Sequence, residues 1–444
     1  MFLIKKEIQK ILYLILNLLV NLRLSFLSSF VIFLSLRKIK GFNCVDSDRK
    51  KNLIVLEKSH GIEDIKIAYE NIETNLVFFV LQRKIFSIIF KSFFKKNSTE
   101  LRDNLYITNN PLIEKKKTEL LNFLDKVLFN LNKFINISAF ISFNYKYYAE
   151  RELHTACKNN KIKFIVCHKE CNVFDGEIEY YNQILKNNIG KFNGDLITVY
   201  NERYKDLLVK NEIVIPEKVK IVGMPRSDVY FNTDNNQQKH VLVFLISIQR
   251  SLKYIYETKS KENLNSKENS VNWDKLAIDT VEATLDIARK FPDLQFIFKT
   301  KIENDIQTLT QQQLIKKAKL LNCKIIYGGN SIKLIKDADI VIGFNTTGII
   351  ESLISNKKVI VPFMNIADDD FKKKFVLDDY NLTFKPNTKN ELKEIMISLI
   401  ENKNNNDKIF KEDDRYKKLF FEHLGNNDGT SSQKLRKIFD EMLN

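Results

Sequence analysis

From Leu53 to Phe363 the chain alternates short apolar runs with longer amphipathic stretches, and this alternation restricts the fold more than any other feature. The first run, Leu53 to Glu57, leads through a loop carrying Ser59, His60 and Gly61 into a helical pattern. TNLVFFVLQR, ISAFISFNYK, IKFIVCHKE, GDLITVYNERYKDLLVK and KVKIVGMPRSDVYF follow, with helical periodicity between them, as over Lys117 to Asn132. A polar stretch, NTDNNQQK, then gives way to HVLVFLISI and a second series. It comprises a helix from Trp273 to Lys290 and strands at LQFIFKTK, CKIIYGG, ADIVIGF and KKVIVPF. Near-continuous apolar strands spaced by helices are the signature of parallel sheets covered on both faces. The pattern predicts an α/β chain of two Rossmann-like domains facing a cleft, 41–235 and 236–400. An apolar segment over 1–40 precedes them, and helices over 401–444 close the chain, placed to pack back across the hinge.

Length and composition agree with two domains. At 444 residues the chain exceeds what one hydrophobic core usually organises. Its 44% hydrophobic and 28% charged residues are those of a folded protein, and 12 Gly with 6 Pro argue against collagen-like and turn-dense all-β architectures. Lys and Arg number 71 against 55 Asp and Glu, a net charge of +16, which suits a polyanion or an anionic membrane surface as partner. The sequence holds no zinc-finger spacing, helix-turn-helix signature or RNA-binding aromatic motif, so nucleic acid is not an expected partner. Cys44, Cys157, Cys167, Cys171 and Cys323 are odd in number and irregular in spacing, which argues for a reducing, cytoplasmic compartment. Cys167, His168 and Cys171 lack the second ligand pair of a structural zinc site. Asp368, Asp369 and Asp370, just ahead of Lys372, Lys373 and Lys374, read as solvated charge rather than a magnesium site. No metal or cofactor is expected.

Residues from Ile8 to Leu36 are strongly apolar, with Lys5, Lys6 and Lys10 before or within them and Arg37, Lys38 and Lys40 after. A signal peptide would need a short apolar core and a small-residue cleavage site. A membrane span, an interfacial helix and a buried core helix are the remaining readings. Asn17, Asn21, Ser25 and Ser28 recur at helical spacing as one polar stripe, which favours a helix lying in the membrane interface or against the protein. The basic flanks would touch anionic lipid, making the protein peripheral to the inner face of the plasma membrane.

The stretch DADIVIGFNTTGIIESLISNKKVIVPF carries the clearest chemistry. A buried strand ends at Gly343, a small polar turn of Asn345, Thr346, Thr347 and Gly348 follows, and a helix begins with Glu351 in its first turns. A helix N-terminus offers unpaired N–H groups and a positive dipole end, which a phosphate needs. Thr346 and Thr347 add hydroxyls, although Asn345 or Thr346 could equally be the helix cap. His168, Lys169 and Glu170 follow a strand and fall at the sheet's carboxyl edge, where open α/β folds bind ligands. Glu170 could deprotonate an acceptor hydroxyl, with His168 as its competitor, or both could be idle loop charges. His60 beside Gly61 could contact a phosphate or simply sit in a turn. Arg226, in the turn Gly223 to Asp228, could bind phosphate, but a structural pairing with Asp228 is the favoured reading. Lys299 and Lys301 close the strand FIFKTK toward the same edge, and Gly328 with Gly329 would let backbone approach a nucleobase.

Residues Asp339 to Pro362 resemble the donor domain of GT-B glycosyltransferases, nucleotide-sugar 2-epimerases and CDP-glycerol glycerophosphotransferases. There an aspartate-led strand, a Ser/Thr-Gly turn and a helical glutamate surround a nucleotide diphosphate and its ribose. By that resemblance Thr346, Thr347 and Gly348 would hold the diphosphate and Glu351 the ribose hydroxyls. The segments CHKECNVFDGEIEYYNQI, ITVYNERYKDLLV and VKIVGMPRSDVYF resemble bacterial capsule and surface-carbohydrate biosynthesis proteins. Together the likenesses imply a GT-B-like, metal-independent transferase. It would move a glycosyl or polyol-phosphate unit from a nucleotide-activated donor to a glycan or lipid-linked glycan acceptor. Rivals with the same fold are a nucleotide-sugar 2-epimerase and a non-catalytic scaffold of a glycan assembly complex.

Overall fold

The computed structural model describes residues 2–45, 50–94, 110–173, 177–188, 190–231, 240–247, 273–344, 346–364, 381–401, 413–426 and 428–443. The boundary expected near Asn235, Asn345 and Asp368 to Asp370 lie outside these residues.

The first unit is built on strands β1 (Arg37–Lys38), β3 (Lys51–Leu56), β5 (Leu76–Leu81), β6 (Ile137–Ser142), β7 (Lys163–Cys167), β8 (Leu196–Val199) and β9 (Val219–Ile221). Short strands β2 (Asn43–Cys44) and β4 (Glu73–Thr74) form a separate parallel ladder. Among the described residues the main sheet has seven strands in the order β1-β5-β3-β6-β7-β8-β9. All neighbours run parallel except β1, an edge strand antiparallel to β5 that the sequence pattern did not reveal. The chain goes from β3 to β5 on one side, then crosses back to β6 on the other. The sheet therefore reverses direction between β3 and β6.

The second unit holds β10 (His240–Phe244), β11 (Gln295–Thr300), β12 (Cys323–Tyr327), β13 (Ala338–Ile342) and β14 (Lys358–Ile360), all parallel, in the order β12-β11-β10-β13-β14. Its reversal falls between β10 and β13. Two parallel sheets with this strand order are the two Rossmann-like, GT-B-like domains that the alternating pattern predicts.

The helices are α1 (Phe2–Asn21), α2 (Ser25–Leu34), α3 (Ser59–Ala68), α4 (Lys84–Phe93), α5 (Pro111–Ile135), α6 (Arg151–Asn159), α7 (Ile178–Asn188), α8 (Glu202–Lys210) and α9 (Asp228–Phe231). They continue as α10 (Trp273–Lys290), α11 (Leu309–Ala318), α12 (Ile332–Asp337), α13 (Thr347–Ile354), α14 (Lys389–Glu401), α15 (Asp414–Leu424) and α16 (Ser431–Leu443). Helix α5 shows how the sequence sets them. Asn110 caps it by accepting from the Leu112 N–H at 3.0 Å, Pro111 takes the first turn, and Asn136 ends it in a left-handed conformation. Leu120, Phe123, Leu124, Val127, Leu128 and Leu131 then fall on one buried face. Each such side chain contributes roughly 1.5–3 kcal/mol on leaving water.

The end of the chain returns to the first unit. Leu435 and Phe439 of α16 join the core beside α3, with Phe439 stacked on Tyr69 at 6.3 Å. Asp228 receives the Ser431 and Ser432 N–H groups at 3.2 and 2.6 Å, capping α16, and takes Asn426 Nδ2 at 2.8 Å.

The apolar start of the chain is not one helix. It breaks at Leu22–Leu24, where Arg23 has φ +59°, into α1 and α2. The expected polar stripe also fails, because Ser28 is buried and Ser25 partly buried while Asn17 and Asn21 are exposed, and Ser29 beside Ser28 is buried too. Ser29 Oγ bonds the Ser25 and Val127 carbonyls at 2.7 and 2.8 Å, so a serine faces the core at little cost. Among the described residues no helix is long and apolar enough to cross a membrane.

Candidate functional site

Both reversal points lie at the carboxyl ends of their sheets, and the helices that follow the pivotal strands meet. Helix α3 follows β3 and carries Asp64; α13 follows β13 and carries Glu351. Each carboxylate lies one turn in from the start of its helix, and both reach Arg226. The Arg226 backbone N–H donates to Asp64 Oδ1 at 3.1 Å, and Nη1 donates to Asp64 Oδ2 at 3.1 Å and to Tyr200 Oη at 2.9 Å. Nε lies 3.5 Å from Glu351 Oε1, and Tyr230 Oη donates to Glu351 Oε2 at 3.0 Å. This clasp joins the helix that follows β3 to the helix that follows β13, each leaving the carboxyl end of its strand.

The pairing of Arg226 with Asp228 is therefore corrected. Pro225–Ser227 form a tight helical turn in which residues two apart do not face each other, and Asp228 is spent on capping α16. The Arg226, Asp64 and Glu351 side chains are 7–8% exposed. Burial works against the arginine's charge, but Tyr200, Asp64 and Glu351 outweigh it and hold the guanidinium well above its ordinary pKa. Burial raises the Asp64 carboxyl despite the pull of Arg226. Sequence reasoning missed Asp64, Tyr200 and Tyr230, whose positions carry no local signature.

On the second unit, Thr346 caps α13, its Oγ1 accepting from the Gly348 N–H at 3.3 Å, while Thr347 beside it is exposed. Of the two residues that could cap this helix, Thr346 does so, and Asn345 lies outside the described residues. A Cβ on Gly348 would sit 2.6 Å from the Phe244 ring, so the glycine lets α13 pack on the end of β10. The segment after β10 is pinned by Gln311, which accepts from the Ile246 N–H at 3.1 Å and donates to its carbonyl at 2.8 Å. Lys299 pairs in register with Phe244, is 7% exposed, and donates from Nζ to the Thr300 carbonyl at 3.2 Å. Burial, then Lys301, lowers its pKa. Lys301 is exposed just beyond β11, and Gly328, with φ +59°, donates to the Thr300 carbonyl at 2.9 Å. These residues share the edge that Thr346, Thr347 and Gly348 occupy. Glu351 stands behind them, inside the clasp.

On the first unit, Glu170 is exposed after β7 and accepts from Asn144 Nδ2, beyond β6, at 3.0 Å. Lys169 is half-buried beside it, its pKa lowered to about 8 by burial and then by Lys58, with Arg226 adding to the effect. Lys58, Asn144, Lys169 and Glu170 thus gather from three strand ends around the β3/β6 reversal. His168 does not join them. It is 1% exposed, its ring 5.0 Å from Tyr145 and 4.7 Å from Tyr204. Burial and then Lys146 push its pKa well below the usual range, so it is a neutral core ring with no path to an acceptor hydroxyl. His60 lies in the first turn of α3 rather than in a loop.

Cys157, Cys167 and Cys171 are buried thiols, and Cys44 and Cys323 are partly buried. Cys171 Sγ donates to the His168 carbonyl at 3.2 Å and accepts from the Tyr200 N–H at 3.3 Å. Among the described residues no group of His, Cys, Asp and Glu is gathered that could hold a metal ion.

No family model and no curated protein sequence matches the chain. Solved structures do. The UDP-GlcNAc 2-epimerase from Methanocaldococcus jannaschii is 14% identical with a TM-score of 0.46, over 88% of this chain and 99% of that one. The UDP-GlcNAc 2-epimerase from Neisseria meningitidis bound to UDP-GlcNAc gives the same four values, 14%, 0.46, 88% and 99%. The wall teichoic acid polymerase TagF is 10% identical with a TM-score of 0.46, over 89% of each chain. The fold assignment rests on strand order and register in this chain: two parallel, reversing sheets whose carboxyl edges share one crevice, a GT-B-like arrangement.

Proposed function

We propose that the chain binds a nucleotide-activated donor on the second unit's side of the crevice and transfers its glycosyl or polyol-phosphate unit to a glycan acceptor. The acceptor, free or lipid-linked, would lie at the first unit's edge. The observation that supports this reading is the placement of Thr346, Thr347 and Gly348 at the β10/β13 reversal, where open parallel sheets receive ligands. The start of α13 presents N–H groups and a positive dipole end to a diphosphate, with the exposed Thr347 hydroxyl beside it. Lys299 and Lys301 end β11 on that edge, so negative charge developing on the departing nucleotide meets fixed cations. Glu351 would meet the ribose by exchanging one of its clasp partners for the diol.

Glu170, oriented by Asn144, would accept the acceptor's hydroxyl proton as its oxygen attacks. The donor carries its own leaving group, so the reaction in this reading asks for no resident cofactor or metal. The work would be the building of a bacterial surface polysaccharide, such as capsule, on the cytoplasmic side of the membrane.

The test is thermal unfolding with CDP, UDP, GDP and CMP, for the native chain and for Thr347→Val, since a ligand that binds only the native state raises the Tm. A rise with one diphosphate that Thr347→Val abolishes supports the donor site. No rise with any nucleotide would sink it and leave the scaffold reading. Product analysis with the matching sugar nucleotide separates the chemistries: transfer frees the nucleotide only when an acceptor is present, whereas a 2-epimerase needs none.

A further inference from the structure

Helices α1 and α2 pack on the first unit by one face only. Leu16, Val20, Val31 and Ile32 are buried, Ser29 is tied to Val127 of α5, and Tyr13 Oη donates to Gln82 at the end of β5. The other face is apolar as well. Leu14, Leu18 and Leu22 recur every fourth residue on α1 and its end, and Phe26, Phe30 and Leu34 form a row of their own on α2. Their exposures are 71%, 59%, 58%, 55%, 45% and 53%. Phe129 of α5, 58% exposed, extends the patch. Two exposed apolar rows on adjoining helices mark an interaction site rather than ordinary surface.

Charge identifies the occupant. Residues 1–40 hold seven cations, Lys5, Lys6, Lys10, Arg23, Arg37, Lys38 and Lys40, against one anion, Glu7. Glu7 is itself paired with Lys10 at 2.7 Å. Arg23 marks the apex between the helices, Lys38 and Lys40 are exposed where α2 runs into β1, and Lys133 Nζ lies 4.2 Å above the Phe129 ring. An apolar stripe flanked by cations on helices that cannot span suits an anionic bilayer surface, with leucine and phenylalanine in the acyl boundary and lysine at the phosphates. We propose that the α1–α2 hairpin is a monotopic docking surface for anionic lipid. The buried Ser28 and Ser29 face points into the protein. This orientation is independent of what the crevice binds.

The experiment is vesicle flotation of the full chain with phosphatidylcholine alone and with phosphatidylcholine containing phosphatidylglycerol. The native protein floats with the anionic vesicles, far less with the neutral ones, and the preference fades as salt rises. Leu14→Asp and Phe26→Asp each lower the apparent partition coefficient by about tenfold or more, because each withdraws one large side chain from the acyl boundary. Their far-UV circular dichroism stays native, and Leu14→Asp, at a residue 71% exposed, keeps the native urea midpoint; Phe26, whose ring meets Phe134 at 5.8 Å, is compared at equal folded fraction. Lys38→Glu with Lys40→Glu removes the preference for phosphatidylglycerol. Three results would overturn the proposal: no flotation with either vesicle, equal flotation with both, or a dimer by light scattering that the aspartate variants dissociate while lipid binding is absent.

Discussion

Arg226→Met tests the clasp that joins the two units. The substitution keeps an apolar stem of similar shape but leaves Asp64 and Glu351, 7% and 8% exposed, without their paired cation. Removing one partner of a buried ion pair costs about 3–5 kcal/mol, because the partner's charge stays desolvated. Tyr200 and Tyr230 still donate to the two carboxylates, at 3.3 and 3.0 Å, which places the expected loss near the lower end, about 3 kcal/mol. The loss should depend on pH. Burial raises the Asp64 pKa even with Arg226 present, and without it the rise is larger. A carboxyl whose folded pKa lies above its unfolded value favours folding fully only below the unfolded pKa, and that contribution is lost as pH rises through the folded one. The variant is therefore penalised most near neutrality and least in acid. Urea unfolding of both proteins at about pH 7.5 and about pH 4.5 gives the difference, from which the other titrating groups cancel to first order. A loss under about 1 kcal/mol, or one of equal size at both pH values, would refute the argument that buried carboxylates are held by this guanidinium. Arg226→Lys should fall between, since a lysine keeps the charge but not the fork that reaches Asp64, Tyr200 and Glu351 together.

Three further outcomes are expected. Gly425 ends α15 with φ +63°, and a Cβ there would overlap the Tyr200 carbonyl, so Gly425→Ala should lower unfolding free energy by at least ~2 kcal/mol. Gly41, with φ +94° and open space around it, should lose only about 1 kcal/mol on the same change, and equal losses would show that the overlap is relieved without cost. His154, against Phe164 at 4.2 Å, has its pKa lowered by burial to about 3. The unfolded state therefore takes up a proton below about pH 6.5 that the native state refuses, so stability falls from that point downward by about 1.4 kcal/mol per pH unit from this group. His154→Leu should flatten the urea midpoint's decline between about pH 6 and 4, and an unchanged slope would count against the assignment. Asp228→Ala removes the cap of α16 and should cost about 1–3 kcal/mol, with faster proteolysis of the C-terminal helix; wild-type resistance would mean that Leu435 and Phe439 alone hold it.

The strands were legible because strands buried on both faces must be apolar throughout, as in Val241 to Phe244 and Ile340 to Ile342. The turn before α13 was legible for a local reason: a capping threonine and a glycine beside a strand end announce a helix start in a few residues. The clasp was not. Asp64 and Arg226 lie 162 positions apart, and nothing in either neighbourhood favours the other, whereas Asp228 is close in sequence but points to α16. The N-terminal stripe misled because serine counts as polar in any pattern of hydropathy. Ser28, however, turns inward beside Ser29, whose hydroxyl is satisfied on backbone carbonyls. His168 misled similarly, since a histidine following a strand reads as an edge residue until Tyr145 and Tyr204 are seen to enclose it.

The docking surface and the crevice are linked through the carboxyl edge of the first sheet. Tyr13 of α1 bonds Gln82, and Lys84 Nζ lies 4.9 Å above the Tyr13 ring, so the hairpin braces the segment that leaves β5. Arg83 in that segment pairs with Glu150 at 2.6 Å and lies 3.1 Å above the Tyr147 ring. Glu150 in turn accepts from Ser142 Oγ at 2.6 Å, at the end of β6, one position before the loop that supplies Phe143 and Asn144. The contacts run from Tyr13, next to Leu14 on α1, to Ser142, two positions before the Asn144 that donates to Glu170. A bilayer lying on α1 and α2 would therefore flank the first unit's side of the proposed crevice and deliver a lipid-linked acceptor there, with the proposed donor site at α13 on the other sheet. On that arrangement, Leu14→Asp should slow turnover of a vesicle-embedded acceptor in proportion to lost binding and leave turnover of a short soluble acceptor unchanged. Equal loss on both would separate the hairpin from acceptor delivery.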